Sequence, residues 1–168
     1  LVRAACVDLC AERLAVTGGR ARAVLTNSGQ ANACTGERGL ADSLSATAAL
    51  AGRLGLAPEQ VLICSTGVIG VPIPMDTLVA GLDPLVEALS PEGGDAAARA
   101  ILTTDLVEKQ IALEADLGGR FVRIGGMAKG SGMIHPDMAT MLGYLSCDAG
   151  LPAEVWQAMV SRAVARSF

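Results

Sequence analysis

The stretch KGSGMIHPDMATML, residues 129–142, gathers side chains of this sequence that could do chemistry. It contains a cation at Lys129, the only histidine at His135 and a hydroxyl at Thr140. An ammonium group can bind an anion, an imidazole can act as a general base, and a hydroxyl can act as a nucleophile once a base takes its proton. The stretch follows neither the helical nor the strand period, so we predict an irregular segment over residues 125–138.

Three interpretations of this segment compete before Thr140 is considered. GGMAKGSG could cradle a phosphate, because glycines let backbone N–H groups converge on an anion. A P-loop, however, requires glycine directly before the lysine and serine or threonine directly after it, whereas Ala128 and Gly130 flank Lys129. His135 could be the base of a catalytic triad or a Cys–His dyad, although nothing in the sequence connects it to a nucleophile. The segment could also be a glycine-rich crossover loop with no chemical role.

Thr140 offers a fourth interpretation. If the chain is cut immediately before a threonine, the freed α-amine has an ordinary pKa of about 7.7–8.0 and can serve as the base for the hydroxyl of the same residue. Such a cut requires a small preceding residue, a flexible approach and a rigid strand afterwards. Ala139, the glycines Gly130 and Gly132, and the apolar residues 141–147 meet these needs. A cut between Ala139 and Thr140 therefore remains open beside the other interpretations.

Strands and helices must position this segment, and the first half of the chain predicts a strand, a helix and a second strand. The first strand is expected from Ala21 to Thr26, and an apolar run predicts a buried strand from Val61 to Cys64. Gly55 is the expected stop of the helix between them. The apolar residues that keep helical spacing in that helix are Leu40, Leu44, Ala48, Ala51 and Leu54.

Three short helices are predicted next, two of them capped by aspartate and one opened by proline. Their predicted bounds are Asp76–Leu82, Pro84–Leu89 and Asp95–Leu102.

A β-hairpin is the clearest pattern in the second half. Apolar residues alternate over 111–117, Gly118-Gly119 supplies the turn, and the return strand is expected from Phe121 to Ile124. TMLGYLSC, residues 140–147, predicts another strand, and Pro152 is expected to open a helix. The mixture indicates an α/β or α+β fold in a single domain, residues 1–168. Because that last helix is still running at Phe168, we expect the chain to be a fragment of a longer protein.

Composition excludes several classes of function. The chain has 168 residues, 51% of them apolar and only 2% aromatic, with a net charge of −4. Without a Lys/Arg run, nucleic-acid binding is not expected. No apolar run reaches the 18 or so residues of a membrane span, and the first residues lack a signal-peptide pattern, so we expect a cytoplasmic protein. The five cysteines form no C-x-x-C pair or metal-site pattern, so we expect reduced thiols and no metal.

Five blocks of sequence, in order, resemble ornithine acetyltransferase, the bifunctional glutamate N-acetyltransferase family of arginine biosynthesis. The blocks are TNSGQANACTGERG (26–39), CSTGVIGVPIPMD (64–76), TTD (103–105), GGMAKGSGMIHPDMATML (125–142) and SCDA (146–149). They extend over nearly the whole chain. The chain is similar to the middle of that family's precursor and lacks both of its ends.

The resemblance implies a layered α-β-β-α sandwich and a precursor that cuts itself between Ala139 and Thr140. Thr140 would then be the nucleophile that takes an acetyl group from N-acetylornithine and passes it to glutamate. Thr66 and Gly67 match the family's oxyanion pair, in what we expect to be a tight turn after the buried strand. Thr103 and Lys129 match substrate-contacting positions, and Lys129 suits the α-carboxylate of both amino acids. His135 matches no functional position.

The resemblance also implies the partners of the protein. The C-terminal chain of the same precursor should complete it, the cleaved pairs should form a homo-oligomer, and this chain alone should be catalytically incomplete. No cofactor is implied, although acetyl-CoA could be a second acetyl donor. The alternative function is that of a self-processing aminopeptidase or amidase of the same fold, with an N-terminal nucleophile. An isolated scaffold fragment without activity is the non-enzyme alternative.

Overall fold

The computed structural model describes residues 3–132 and 141–167, and its helices and strands alternate from the N-terminus. Within those ranges the chain forms six α-helices and five β-strands. The helices are α1 (Ala5–Val16), α2 (Gly36–Leu54), α3 (Met75–Ala80), α4 (Leu82–Glu87), α5 (Gly94–Ala100) and α6 (Ala153–Ser167). The strands are β1 (Ala23–Gln30), β2 (Val61–Val68), β3 (Lys109–Asp116), β4 (Phe121–Lys129) and β5 (Leu142–Cys147).

β1, α2 and β2 form a parallel strand–helix–strand unit. The two strands pair in parallel, with Ala23 opposite Val61, and α2 is the crossover between them. Gly55 ends α2 in the left-handed conformation, φ 65°, as its position in the sequence predicts. β1 begins two residues after the predicted Ala21, and both strands run past their predicted ends, to Gln30 and Val68, because four more residue pairs join the shared ladder. Helix α1, which the sequence pattern did not predict, packs on α2 and β2.

The buried face of α2 differs from the predicted apolar stripe. Leu40 and Leu44 are 42% and 44% exposed, whereas the buried face holds mainly small and hydroxyl residues. Its members are Gly39, Ser43, Ala46, Thr47, Leu50 and Ala51. Small residues let the helix approach α1 and β2 closely. The Ser43 and Thr47 hydroxyls donate to carbonyls one turn earlier, which satisfies them inside the core.

The three short helices form close to the predicted segments, but their starts differ. Asp76 and Asp95 lie in the first turns of α3 and α5 and are not their caps, which are Pro74 and Gly93. Both carboxylates still lie near the positive end of a helix dipole. Pro84 lies inside the first turn of α4, where a backbone N–H has no partner within the helix.

The predicted hairpin is confirmed, and its return strand is longer than expected. Gly118 and Gly119 have φ values of 69° and 86°, and the Leu117 N–H donates to the Arg120 carbonyl at 2.8 Å. Two consecutive positive φ values define the turn that suits the twist of a tight hairpin. β4 continues to Lys129, so the irregular segment does not begin at residue 125. As the central strand, β4 pairs with β3 and β5, and this pairing holds its glycines in extended conformation.

The two sheets pack against each other between helices. Val61 and Ile63 of β2 lie in the core with α1 and α2, whereas Thr66 of β2 contacts the three-stranded sheet. The Thr26 hydroxyl of β1 also shares a 2.8 Å hydrogen bond with the Tyr144 hydroxyl of β5. Helix α6 lines a cavity together with β3, β4 and β5 of the three-stranded sheet. The layers follow the order α-β-β-α, as the resemblance implied.

Candidate active site

A cavity of about 710 Å³ lies where β1, β2 and β4 end. The loop after α5 closes one side of it. Because β1 and β2 are parallel, their carboxyl ends meet at the same edge of their sheet, which is where α/β proteins commonly bind ligands. The cavity brings together four of the predicted site residues: Thr66, Gly67, Thr103 and Lys129. Thr140, Ala139 and His135 lie outside the described residues.

A buried hydrogen bond between Lys129 and Thr66 joins the two sheets at this cavity. Lys129 is 4% exposed and Thr66 is 2% exposed. The Lys129 Nζ donates to Thr66 Oγ1 at 2.9 Å. An ammonium can only donate, so the threonine oxygen accepts, and its hydroxyl hydrogen remains available for a third atom. The pair therefore forms a polarised hydroxyl donor at the cavity wall.

Gly67 lies inside β2 and not in the predicted tight turn. β2 runs on to Val68 because β1 is equally long and pairs with it through Gln30. Gly67 has a φ of 133°, and its register partner Gly29 has a φ of 127°. A Cβ on Gly67 would overlap the Gly29 carbonyl oxygen. The close approach of the two backbones therefore requires glycine at position 67.

Gly67→Ala should lower the free energy of unfolding of the full-length protein more than Gly29→Ala. A Cβ on Gly29 would meet nothing within 4 Å. Gly29→Ala therefore adds only backbone strain, about 1–3 kcal/mol, whereas Gly67→Ala adds a backbone overlap as well. Urea unfolding monitored by circular dichroism measures both. Equal losses in the two variants would show that the strand contact at Gly67 is looser than described.

The loop after α5 supplies Thr103 to the cavity and a buried carboxylate behind it. Thr103 is exposed and lines the cavity, and the Thr104 hydroxyl shares a 2.9 Å hydrogen bond with that of Ser131. Asp105 Oδ1 accepts from the Gly130 N–H at 2.7 Å and from the Lys109 Nζ at 2.5 Å. Sequence reasoning assigned no role to Asp105 or Ser131, although both lie in the quoted blocks.

Asp105 is ionised at neutral pH. Burial raises the pKa of its carboxyl. The hydrogen bonds from Lys109 and the Gly130 N–H, with the positive charges of Lys109 and Lys129, outweigh burial and leave the pKa below its ordinary value. The site therefore holds a fixed negative charge beside two ammonium groups.

Two of the cysteines are poorly suited to act as nucleophiles. Burial raises the pKa of the Cys64 thiol, and burial likewise raises that of Cys6, so both stay protonated at neutral pH. Burial also raises the pKa of Tyr144, which keeps its phenol neutral. No cluster of three or more His, Cys, Asp or Glu side chains that could hold a metal ion occurs among residues 3–132 and 141–167. None of the helices in those ranges is long and apolar enough to cross a membrane.

The fold belongs to the structural class of the ornithine acetyltransferases. The chain matches the crystal structure of an arginine biosynthesis bifunctional protein from Bacillus halodurans with a TM-score of 0.73 and 43% identity. It matches ornithine acetyltransferase from Mycobacterium tuberculosis, crystallised with ornithine, with a TM-score of 0.69 and 40% identity. Both matches cover 84% of this chain and 72% of the other.

The sequence comparison identifies the family. The ArgJ family model matches residues 1–168, and the chain belongs to this family. It is 79% identical to the arginine biosynthesis bifunctional protein ArgJ of Prochlorococcus marinus strain MIT 9313 and 77% identical to that of Parasynechococcus marenigrum strain WH8102. All of this chain is covered in both, but only 39% and 41% of those proteins. The chain thus spans about two fifths of the length of the relatives it matches.

Proposed function

We propose that the full-length parent of this chain transfers an acetyl group from N-acetylornithine to glutamate in arginine biosynthesis, through an acetyl ester on Thr140. The observation that carries the proposal is the cavity shared by Thr66, Gly67, Thr103 and Lys129, which come from three segments that are far apart in the sequence. The family membership and the solved relative crystallised with ornithine support the same substrate class.

Chain connectivity supports Thr140 as the nucleophile of this cavity. Leu142, the first residue of β5, is the register partner of Lys129. Two residues of chain span at most about 7 Å, and the proposal requires Thr140 to approach this pair from Leu142 across that length of chain. Residues from three other segments already line the cavity beside Lys129.

Self-cleavage would create the active nucleophile. In this proposal Thr140 Oγ attacks the carbonyl carbon of Ala139, the amide C–N bond breaks, and the hydroxyl proton passes to the freed α-amine. Water then hydrolyses the ester, which leaves a carboxylate on Ala139 and restores the hydroxyl of Thr140. The α-amine so produced is the base for the transfer reaction.

Acetyl transfer would then follow two chemically similar steps. Thr140 Oγ attacks the acetyl carbonyl of N-acetylornithine while its proton passes to the α-amine, and that proton leaves with the ornithine amine. The glutamate amine attacks the resulting ester, and Thr140 recovers its proton. The Thr66 hydroxyl and the Gly67 N–H stabilise the oxyanion in both steps. Lys129 has three donor hydrogens, so it can hold Thr66 and a substrate carboxylate together.

The proposal also includes the assembly of the parent protein. After cleavage the C-terminal chain stays bound to the N-terminal chain and supplies the remaining substrate contacts. Cleaved pairs associate into a homo-oligomer in the cytoplasm, without a resident cofactor. Acetyl-CoA is a candidate second donor of the acetyl group.

Steady-state kinetics of the full-length protein test the reaction. We expect parallel double-reciprocal lines for N-acetylornithine and glutamate, and an acetyl adduct on the peptide that begins at Thr140 when glutamate is withheld. Intersecting lines without a trappable adduct would contradict the covalent route. Preferential hydrolysis of short peptides would favour the aminopeptidase, and the absence of both activities would favour a scaffold.

A further inference from the structure

Asp105 does not line the cavity, but its carboxylate contacts backbone and side-chain groups next to the residues that do. Its side chain is 0% exposed. One oxygen, Oδ1, accepts from the Gly130 N–H at 2.7 Å and from the Lys109 Nζ at 2.5 Å. Lys109 opens β3, and Gly130 directly follows the last residue of β4. A single carboxylate oxygen therefore ties the loop after α5 to both strands at the point where the cavity begins.

The unusual backbone conformation at Gly130 requires a stabilising contact such as this hydrogen bond. Its φ is 150°, a conformation that side-chain-bearing residues rarely adopt. The direction of the chain at Gly130 sets the backbone of Lys129, whose ammonium reaches across to Thr66 Oγ1. A change in the Gly130 conformation would therefore shift the one described hydrogen bond that joins Lys129 to β2.

The second carboxylate oxygen indicates that the charge of Asp105 matters, beyond its shape. Asp105 Oδ2 is buried and has no hydrogen-bond donor among the described residues. Leaving such an oxygen without a donor is unfavourable, so hydrogen bonding alone does not account for a full carboxylate here. What the carboxylate adds is negative charge beside the ammonium groups of Lys109 and Lys129.

We propose that Asp105 is a positioning residue, which fixes the Lys129–Gly130 end of β4 and thereby sets the Lys129–Thr66 contact in the cavity. The effect on catalysis rests on the proposed acetyl transfer, whereas the effect on the backbone does not. Asp105 does not contact substrate in this scheme and acts only through Lys129 and Gly130.

Two measurements on the full-length protein test this role, with a matched control. Asp116 Oδ1 accepts the Gly119 N–H at 2.6 Å, the same type of contact at the far end of the hairpin. Hydrogen exchange followed by mass spectrometry should show lost protection in the peptide containing Gly130 for Asp105→Ala, and no change there for Asp116→Ala. Unchanged protection at Gly130 in Asp105→Ala would overturn the proposal whatever reaction the enzyme catalyses.

A double-mutant cycle with Lys129→Met separates positioning from general destabilisation. We expect Asp105→Ala to lower kcat/KM by about 10²-fold, as a misplaced active-site group does, and to have little further effect in the Lys129→Met background. Asp105→Asn keeps an acceptor for Gly130 without the charge, so its loss should be smaller, about tenfold, because charged acceptors make stronger hydrogen bonds. The Asp105→Asn variant also provides the test if the alanine variant does not fold.

Effects that multiply with Lys129→Met, or a kcat/KM of Asp105→Asn equal to that of Asp116→Asn, would overturn the proposal. If the wild-type protein transfers no acetyl group, the proposed function fails and hydrogen exchange alone decides the role of Asp105.

Discussion

Thr140→Ala in the full-length parent should give a single uncut chain with no acetyl-transfer activity. The change removes the oxygen that would attack Ala139 and the oxygen that would carry the acetyl group, and it leaves the α-amine locked in a peptide bond. One atom would thus serve both reactions. Denaturing electrophoresis, intact mass and an acetyl-transfer assay report the outcome together.

Two further variants make the Thr140 result specific. Thr140→Ser keeps a hydroxyl, so it should still cut, at a lower rate. His135→Ala should cut and transfer acetyl like the wild type, because His135 has no role in the scheme. Sequencing the N-terminus of the released C-terminal chain should read Thr-Met-Leu-Gly. A fully active enzyme that stays uncut, or one cut at another bond, would contradict the proposal.

Thr66→Ala should lower kcat by about 10²–10³-fold, the usual effect of losing one oxyanion donor. KM should change far less, because the oxyanion exists only near the transition state. Thr66→Ser keeps the donor and should retain most of the activity. Processing must be measured first, because the same donor could also stabilise the oxyanion of self-cleavage. Kinetics are then compared only between fully cut preparations.

Ser65→Ala is the matched control for Thr66→Ala. Ser65 is the adjacent hydroxyl residue in β2, and its Oγ donates to Asn27 Oδ1 at 2.6 Å, away from the cavity. Its loss should reduce stability modestly and leave kcat close to that of the wild type. A Thr66→Ala kcat within about threefold of wild type, in a cut and folded enzyme, would remove Thr66 from the mechanism.

Local patterns predicted the elements whose geometry is set by a few adjacent residues. The paired glycines Gly118 and Gly119 determine the hairpin turn, and Gly55 determines the end of α2, because each adopts a backbone conformation that glycine favours. By contrast, the buried face of α2 depends on what packs against it. Leu40 and Leu44 fit the helical period, yet the smaller residues of that helix face the sheet.

The candidate site could be predicted only where the residues match a known family. Thr66, Gly67, Thr103 and Lys129 were selected by resemblance, and the structure brings them to one cavity. Asp105 lies in one of the matching blocks but was given no role, because its contact with the Gly130 N–H is 25 positions away in the chain and leaves no local pattern. Gly67 was expected in a turn. Its requirement for glycine comes instead from the close approach of the neighbouring strand, which the local sequence does not reveal.

The tight turn of the β3–β4 hairpin has a consequence for the order of folding. Hairpins closed by a two-residue turn form within about 1–10 μs, whereas β1 and β2 are separated by the 30 residues 31–60 and must pair around a crossover helix. The Lys129–Thr66 contact bridges 63 positions and needs both sheets in place. Contacts of such long range form late, because loop closure costs entropy before they can stabilise the chain. The proposed self-cleavage would therefore take place only after the two sheets have assembled, so the amount of cleaved chain would report how much of the precursor has completed folding.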